Sequence, residues 1–186
     1  MISPHILNLE TKKLVFAYFV DVLYRWNKEL DSTCQPKYSK LQLQKLLFLA
    51  SAIDVGSKCP GMLDVFNRFY ALPYGPVEMD IYSAMNSDSL MQIKVIDRIC
   101  EYNPPQDKNL FDTIPVRTRE LVNHAVSCLK QQNVNYFSIS PFDLVKITHR
   151  WSAWRDAFAM ATLCGSKQEP MSAESICESE VKSFSL

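Results

Sequence analysis

The stretch Tyr74-Gly75-Pro76-Val77-Glu78-Met79-Asp80 constrains this chain more than any other, because it sets a flexible residue directly against a rigid one. Gly75 is one of four glycines among 186 residues. It precedes a proline, and the residue before a proline is driven away from helical backbone angles. Pro76 suits the first position of a helix, where its missing N–H would have had no partner. Glu78 and Asp80 follow where carboxylates favour the positive end of the helix dipole. The stretch therefore predicts a helix starting at Pro76, with Val77, Ile81, Ala84 and Met85 on its buried face and Asn86-Ser87-Asp88-Ser89 ending it.

Elsewhere the apolar period is mostly helical. Residues 9 to 30 repeat Leu14, Tyr18, Val22 and Trp26 at four-residue steps, flanked by Val15, Phe19 and Leu23, with Lys12, Asp21, Arg25 and Lys28 on the wetter edge. Residues 31 to 38 connect to a second helix, which starts at a Ser39-Lys40-Leu41-Gln42 capping box and runs to Ile53. Lys45 falls inside its apolar run, which predicts an ammonium snorkelling to water or held by a carboxylate. Gly56, Pro60 and Gly61 mark a loop.

The spacing of Leu63, Phe66, Phe69 and Tyr70 predicts a helix over 62–72, stopped by Pro73. Residues 91–102 fit a short strand or an irregular arm, and 103–115 a surface connection. Further helices are expected near 121–132, from the Ser140 cap with Pro141 next to it, and over 155–164. His149, in the last turn before 150–154, is expected to hold a helix end as an imidazolium suited to the dipole. The tail from about 165 is expected to be weakly structured, with a minor helix near Ser172. With no repeat and no defensible linker, residues 1–186 read as one mainly α, compact helical bundle, with a short β segment near 91–102 as the one departure.

Composition narrows the function. Twenty Lys and Arg balance twenty Asp and Glu, and the longest basic run is Lys12-Lys13, so no field draws this chain to nucleic acid or anionic lipid. The most apolar run, 14–24, is broken by Asp21 and is far shorter than the roughly 20 residues of a bilayer span. The six cysteines include no C-x-x-C pair, and with no secretory leader they read as reduced thiols of a cytoplasmic protein. His5, His124 and His149 are far apart, with no metal-ligand spacing. An enzyme acting through Lys45, Tyr82 or His149 would need partner groups that no motif displays, and Gln42, Gln44 and Lys45 are thin support for a DNA-reading helix. The reading is non-enzymatic and free of cofactors.

Three features stand in order: Leu43-Gln44-Lys45-Leu46-Leu47-Phe48, then Pro73-Tyr74-Gly75-Pro76-Val77 with Tyr82, then Leu144, Thr148-His149 and Trp154. In this order the chain resembles the Panacea-domain family of SocA-like antitoxins, which includes phage-associated proteins. Leu72 stands where that family often has tryptophan, and Trp151 lies in a stretch that is usually small and polar. The resemblance implies a helical, non-catalytic protein that neutralises a cognate toxin by direct binding. The alternative it carries is a proteolytic adaptor that delivers the toxin to a AAA+ protease such as ClpXP. Its motif residues here are Lys45, Tyr74, Gly75, Pro76, Val77, Tyr82, Thr148, His149 and Trp154, in structural or partner-binding roles. Arg150, Trp151 and the exposed side of residues 14–30 are the candidate partner contacts, with core packing the alternative for Trp151 and Trp154.

Overall fold

Helix α2 (Lys40–Ile53) is the axis of the fold: every side chain from Gln42 to Ala52 is buried. A helix apolar on all sides must be covered on all sides. Its neighbours are α4 (Val116–Gln132), α5 (Pro141–His149) and the strand β3 (Gly75–Glu78). A computed structural model describes residues 8–53 and 61–186, so the loop expected at Gly56 and Pro60, together with His5 and Cys59, lies outside the described residues.

Helix α1 (Leu9–Leu30) has the predicted span and is capped by Asn8, whose Oδ1 accepts from the Thr11 N–H at 2.7 Å. It packs against α4, and Val15, Phe16, Phe19 and Leu23 are fully buried in the shared core. The Ser39 cap also forms, its Oγ accepting from the Gln42 N–H at 3.0 Å. Ser140 caps α5 in the same way, with Pro141 at the first turn. The chain bends at Arg150 and Trp151 before α6 (Ser152–Leu163). The fold is mainly α, with two small sheets.

The first sheet, in the order β1-β5-β4, joins β1 (Lys37–Ser39) to a hairpin of β4 (Ile93–Ile96) and β5 (Ile99–Tyr102), so residues 91–102 take the strand alternative. The second, β3-β2-β6, corrects two expectations. Residues 62–72 are not a helix: a 3-10 turn over Gly61–Asp64 leads into strand β2 (Phe69–Leu72). Phe69 and Ala71 point inward while Tyr70 and Leu72 are half-buried, a period of two that the nearby Phe66 masks as helical spacing. Nor does a helix start at Pro76. Gly75 and Pro76 open β3, which pairs with β2 through a two-residue Pro73-Tyr74 turn, and α3 (Met79–Asn86) begins three residues later, capped by Glu78. Pro76 is tolerated because β3 is an edge strand, where a missing N–H need not cost a ladder bond.

The tail forms the minor helix expected near Ser172 and adds a strand that was not expected. Strand β6 (Glu169–Met171) pairs with β2, and α7 (Ala173–Cys177) buries Ile176 in the core. Lys12, expected on the wet edge of α1, is only 5% exposed. No helix among the described residues is long and apolar enough to cross a membrane.

Candidate functional site

Three elements bring the scattered motif residues together. Lys45, from the middle of α2, is fully buried, does not snorkel and meets no carboxylate among the described residues: its Nζ donates to the Pro76 carbonyl at 2.5 Å. Burial pushes its pKa down to about 7, because an ammonium in an apolar interior lacks the hydration that stabilises the charge. The Pro76 carbonyl supplies a dipole in place of a counter-ion.

Gly75 sits against the same group. Its φ is +88°, and a Cβ there would meet Thr148 Oγ1 at 2.7 Å and Lys45 Cε and Nζ at 3.1 Å. Glycine is therefore required twice, by backbone angle and by close approach. Thr148, fully buried on α5, turns its hydroxyl back onto the Val145 carbonyl at 2.9 Å. Val77 is buried beside Pro76 on β3.

The far side of the hairpin is held from α6. The Trp154 indole N–H donates to the Leu72 carbonyl at 3.1 Å, while its ring lies between His149 and Phe158, with centroids 3.7 Å and 5.1 Å away and planes within 10° of parallel. His149 does not end α5 as the expected imidazolium. Burial, then the nearby Lys45 charge, lowers its pKa to about 4, so at neutral pH it is an uncharged stacking ring. Two carbonyls of one hairpin, Leu72 and Pro76, are thus clamped by two motif side chains from different helices.

Tyr74 and Tyr82 stand apart from this cluster. Tyr74, at the hairpin turn, is 62% exposed and meets the 64% exposed Phe142 edge-on, with ring centroids 6.5 Å apart. Tyr82 lies exposed on α3. Arg150 is exposed as well. Trp151 is not available as a surface contact: it is fully buried between Phe48 and Phe184, because the bend between α5 and α6 turns it inward. On α1, only the end of the expected contact side, at Arg25, Glu29 and Leu30, is exposed.

Beside the motif lies an ionic cluster that sequence reasoning missed. Glu78, fully buried, accepts from Lys12 Nζ at 2.9 Å, and its other oxygen caps α3 by accepting from the Ile81 N–H at 2.9 Å. Lys12 also reaches Asp80 at 2.7 Å, and Arg68 pairs with Asp80 from outside. Gln44 Oε1 accepts the Glu78 N–H at 2.9 Å. Burial raises the Glu78 pKa against the opposing pull of Lys12. Glu78 and Asp80 are visible in the sequence as first-turn acids, but nothing near Lys12 signals a partner 66 positions away.

Among the described residues, one surface groove is lined by Ala153, Ala157, Met160 and Pro170, and another opens at the ionic cluster, lined by Leu9, Lys12, Asn67 and Asp80. Neither reaches Lys45, Tyr82 or His149.

The model of the antitoxin SocA-like, Panacea-domain family matches residues 43–155. The chain belongs to the Panacea-domain family. The match starts two residues before Lys45 and ends one residue after Trp154, so the hairpin and both of its clamps fall inside it. Helix α1, with Lys12, and the β6–α7 tail lie outside it and pack against the matched region. Neither the curated proteins nor the solved structures compared with the chain match it.

Proposed function

We propose that this Panacea-domain protein is a cytoplasmic antitoxin that neutralises a cognate protein toxin by direct binding. Its buried motif acts as scaffold, and its exposed aromatic pair acts as contact. The observation that carries the reading is the division of the motif itself. Lys45, Gly75, Pro76, Thr148 and Trp154 are turned inward and shape the hairpin, whereas Tyr74 at its tip is presented to solvent beside Phe142. Exposed tyrosine and phenylalanine are poor choices for a surface that only meets water, and aromatic anchors dominate protein–protein hot spots. Arg150, also exposed, supplies a further contact of the favoured type.

The test is co-expression with the product of the adjacent gene. The expected result is growth arrest by that product alone, rescue by this chain, and recovery of both in one complex. The double variant Tyr74→Ala, Phe142→Ala should lose rescue and complex while its thermal unfolding stays near the parent. A harmless neighbour, or rescue without any complex, removes the proposal. Rescue that needs an active AAA+ protease, together with falling toxin levels, replaces direct blocking with delivery.

A further inference from the structure

The residues after Ser179 form neither helix nor strand, yet one kind of contact recurs along them. Four of their main-chain carbonyls accept hydrogen bonds from the α5–α6 corner and its neighbour. Val181 O accepts from the Ser152 N–H at 3.1 Å, and Ser183 O from the Trp151 indole N–H at 2.7 Å. Phe184 O accepts from the Tyr136 hydroxyl at 2.5 Å, and Ser185 O from the Arg150 guanidinium at 3.1 Å. The Phe184 ring stands edge-on to Trp151, 5.3 Å between centroids and 85° between planes.

We propose that this corner is a peptide-recognition groove, filled in cis by residues 181–185, and that it takes in their place an extended segment of a protein partner with an aromatic residue at the Phe184 position. The corner offers donors at each of these four points, and every one of them reads a backbone carbonyl. Recognition of this kind depends on an extended shape rather than on sequence, and the aromatic slot supplies the selectivity. The Ser152 N–H is one of the free donors of a helix start, so any occupant that provides a carbonyl there satisfies it equally. The tail belongs to no sheet, so its release breaks no ladder, only bonds such as these and that of the Val181 N–H to Ser152 Oγ. The seated tail is itself the template for the occupant. This goes beyond the antitoxin reading, since the groove would exchange peptides whether or not the partner is a toxin.

The test uses the full-length chain and a labelled synthetic peptide of residues 180–186. The Ser152 amide reports on the groove, because its N–H points at the exchanging segment. In the parent chain its hydrogen exchange should be faster than that of α6 interior amides such as Ala157, and excess peptide should slow it. In full-length Phe184→Ala, whose tail has lost its ring, the peptide should bind at least about tenfold more tightly than to the parent, a difference of about 1.4 kcal/mol. A peptide carrying alanine in place of Phe184 should lose that gain. A Ser152 amide that exchanges only with global unfolding and ignores the peptide overturns the proposal, as does equal affinity of the parent and Phe184→Ala for the peptide. Failure here leaves the toxin complex untouched, and failure of toxin rescue leaves the exchange assay readable.

Discussion

His149 lies flat on Trp154, their ring centroids 3.7 Å apart and their planes 7° from parallel. Burial, and after it the nearby Lys45 charge, keeps the imidazole neutral: its pKa falls from 6.5 to about 4. A base whose folded pKa is depressed contributes stability that is complete above its unfolded pKa and is lost as pH falls through the folded one. The unfolding midpoint should therefore drop between pH 6.5 and pH 4. His149→Phe, which keeps the stack without the titration, should flatten that drop in a thermal melt series. Glu78, whose pKa is raised by burial, acts in the opposite direction in acid, so the difference between parent and variant isolates the histidine.

Gly75→Ala should be among the most damaging single-methyl additions in the chain. The substitution forces a side chain onto φ +88° and drives its Cβ to 2.7 Å from Thr148 Oγ1. Strain at such an angle costs about 1–3 kcal/mol and overpacking about 1–3 kcal/mol more. A loss of about 2–6 kcal/mol in urea unfolding is expected from these two effects together. Adding Thr148→Ala, which removes the nearest atom, should recover part of the loss but not the backbone strain. Full tolerance of Gly75→Ala would mean that the hairpin is not clamped at this residue.

Lys45 gives the alkaline side of the profile. Its folded pKa is lowered to about 7, so between that value and its ordinary 10.5 the unfolded chain binds the proton more tightly and stability rises with pH. The slope should approach about 1 kcal/mol per pH unit, since a tenfold difference in proton affinity corresponds to about 1.4 kcal/mol. The clean window is pH 7–8.5, because Cys100, whose pKa burial raises to about 11, gives the opposite slope from about 9 upward. Lys45→Met should abolish the rise in urea unfolding measured across this window.

The helices were legible because their signals are local. Asn8, Ser39 and Ser140 each cap a helix through a donor three residues on, and the apolar steps of 9–30 need no distant partner to be read. The β2–β3 hairpin was not legible. Phe66, Phe69 and Tyr70 satisfy helical spacing by coincidence, and Gly-Pro reads equally well as a helix start or as the opening of an edge strand. What decides between them is the buried Lys45 amine on the Pro76 carbonyl, a contact across 31 positions. The motif residues could be named from the sequence, but their division into an inward scaffold and an outward Tyr74 could not, since exposure follows from which helices cover the hairpin. Lys12 shows the same limit: its local neighbours suggest a wet edge, and its burial is set by Glu78 and Asp80.

The Lys12–Glu78 pair should respond asymmetrically to removal of its two members. Lys12→Ala leaves a fully buried carboxylate whose remaining donors are the Ile81 and Arg68 amides, at 2.9 Å and 3.3 Å. Removing one partner of a buried pair costs about 3–5 kcal/mol, because the other charge stays desolvated. Glu78→Gln is milder, since the amide oxygen can still accept from Ile81 and Lys12 keeps Asp80 at 2.7 Å. The pH response distinguishes this from simple loss of packing. A carboxyl whose folded pKa is raised contributes stability below its unfolded pKa and loses it as pH rises through the folded value. Lys12→Ala takes away the charge that pulls Glu78 down, so its pKa should climb further, and mild acid should restore part of the lost stability. Urea unfolding at pH 5 and pH 7 reads the outcome: a deficit for Lys12→Ala that is smaller at pH 5 supports the buried ion pair, and one that does not change with pH places the loss in packing of the lysine stem.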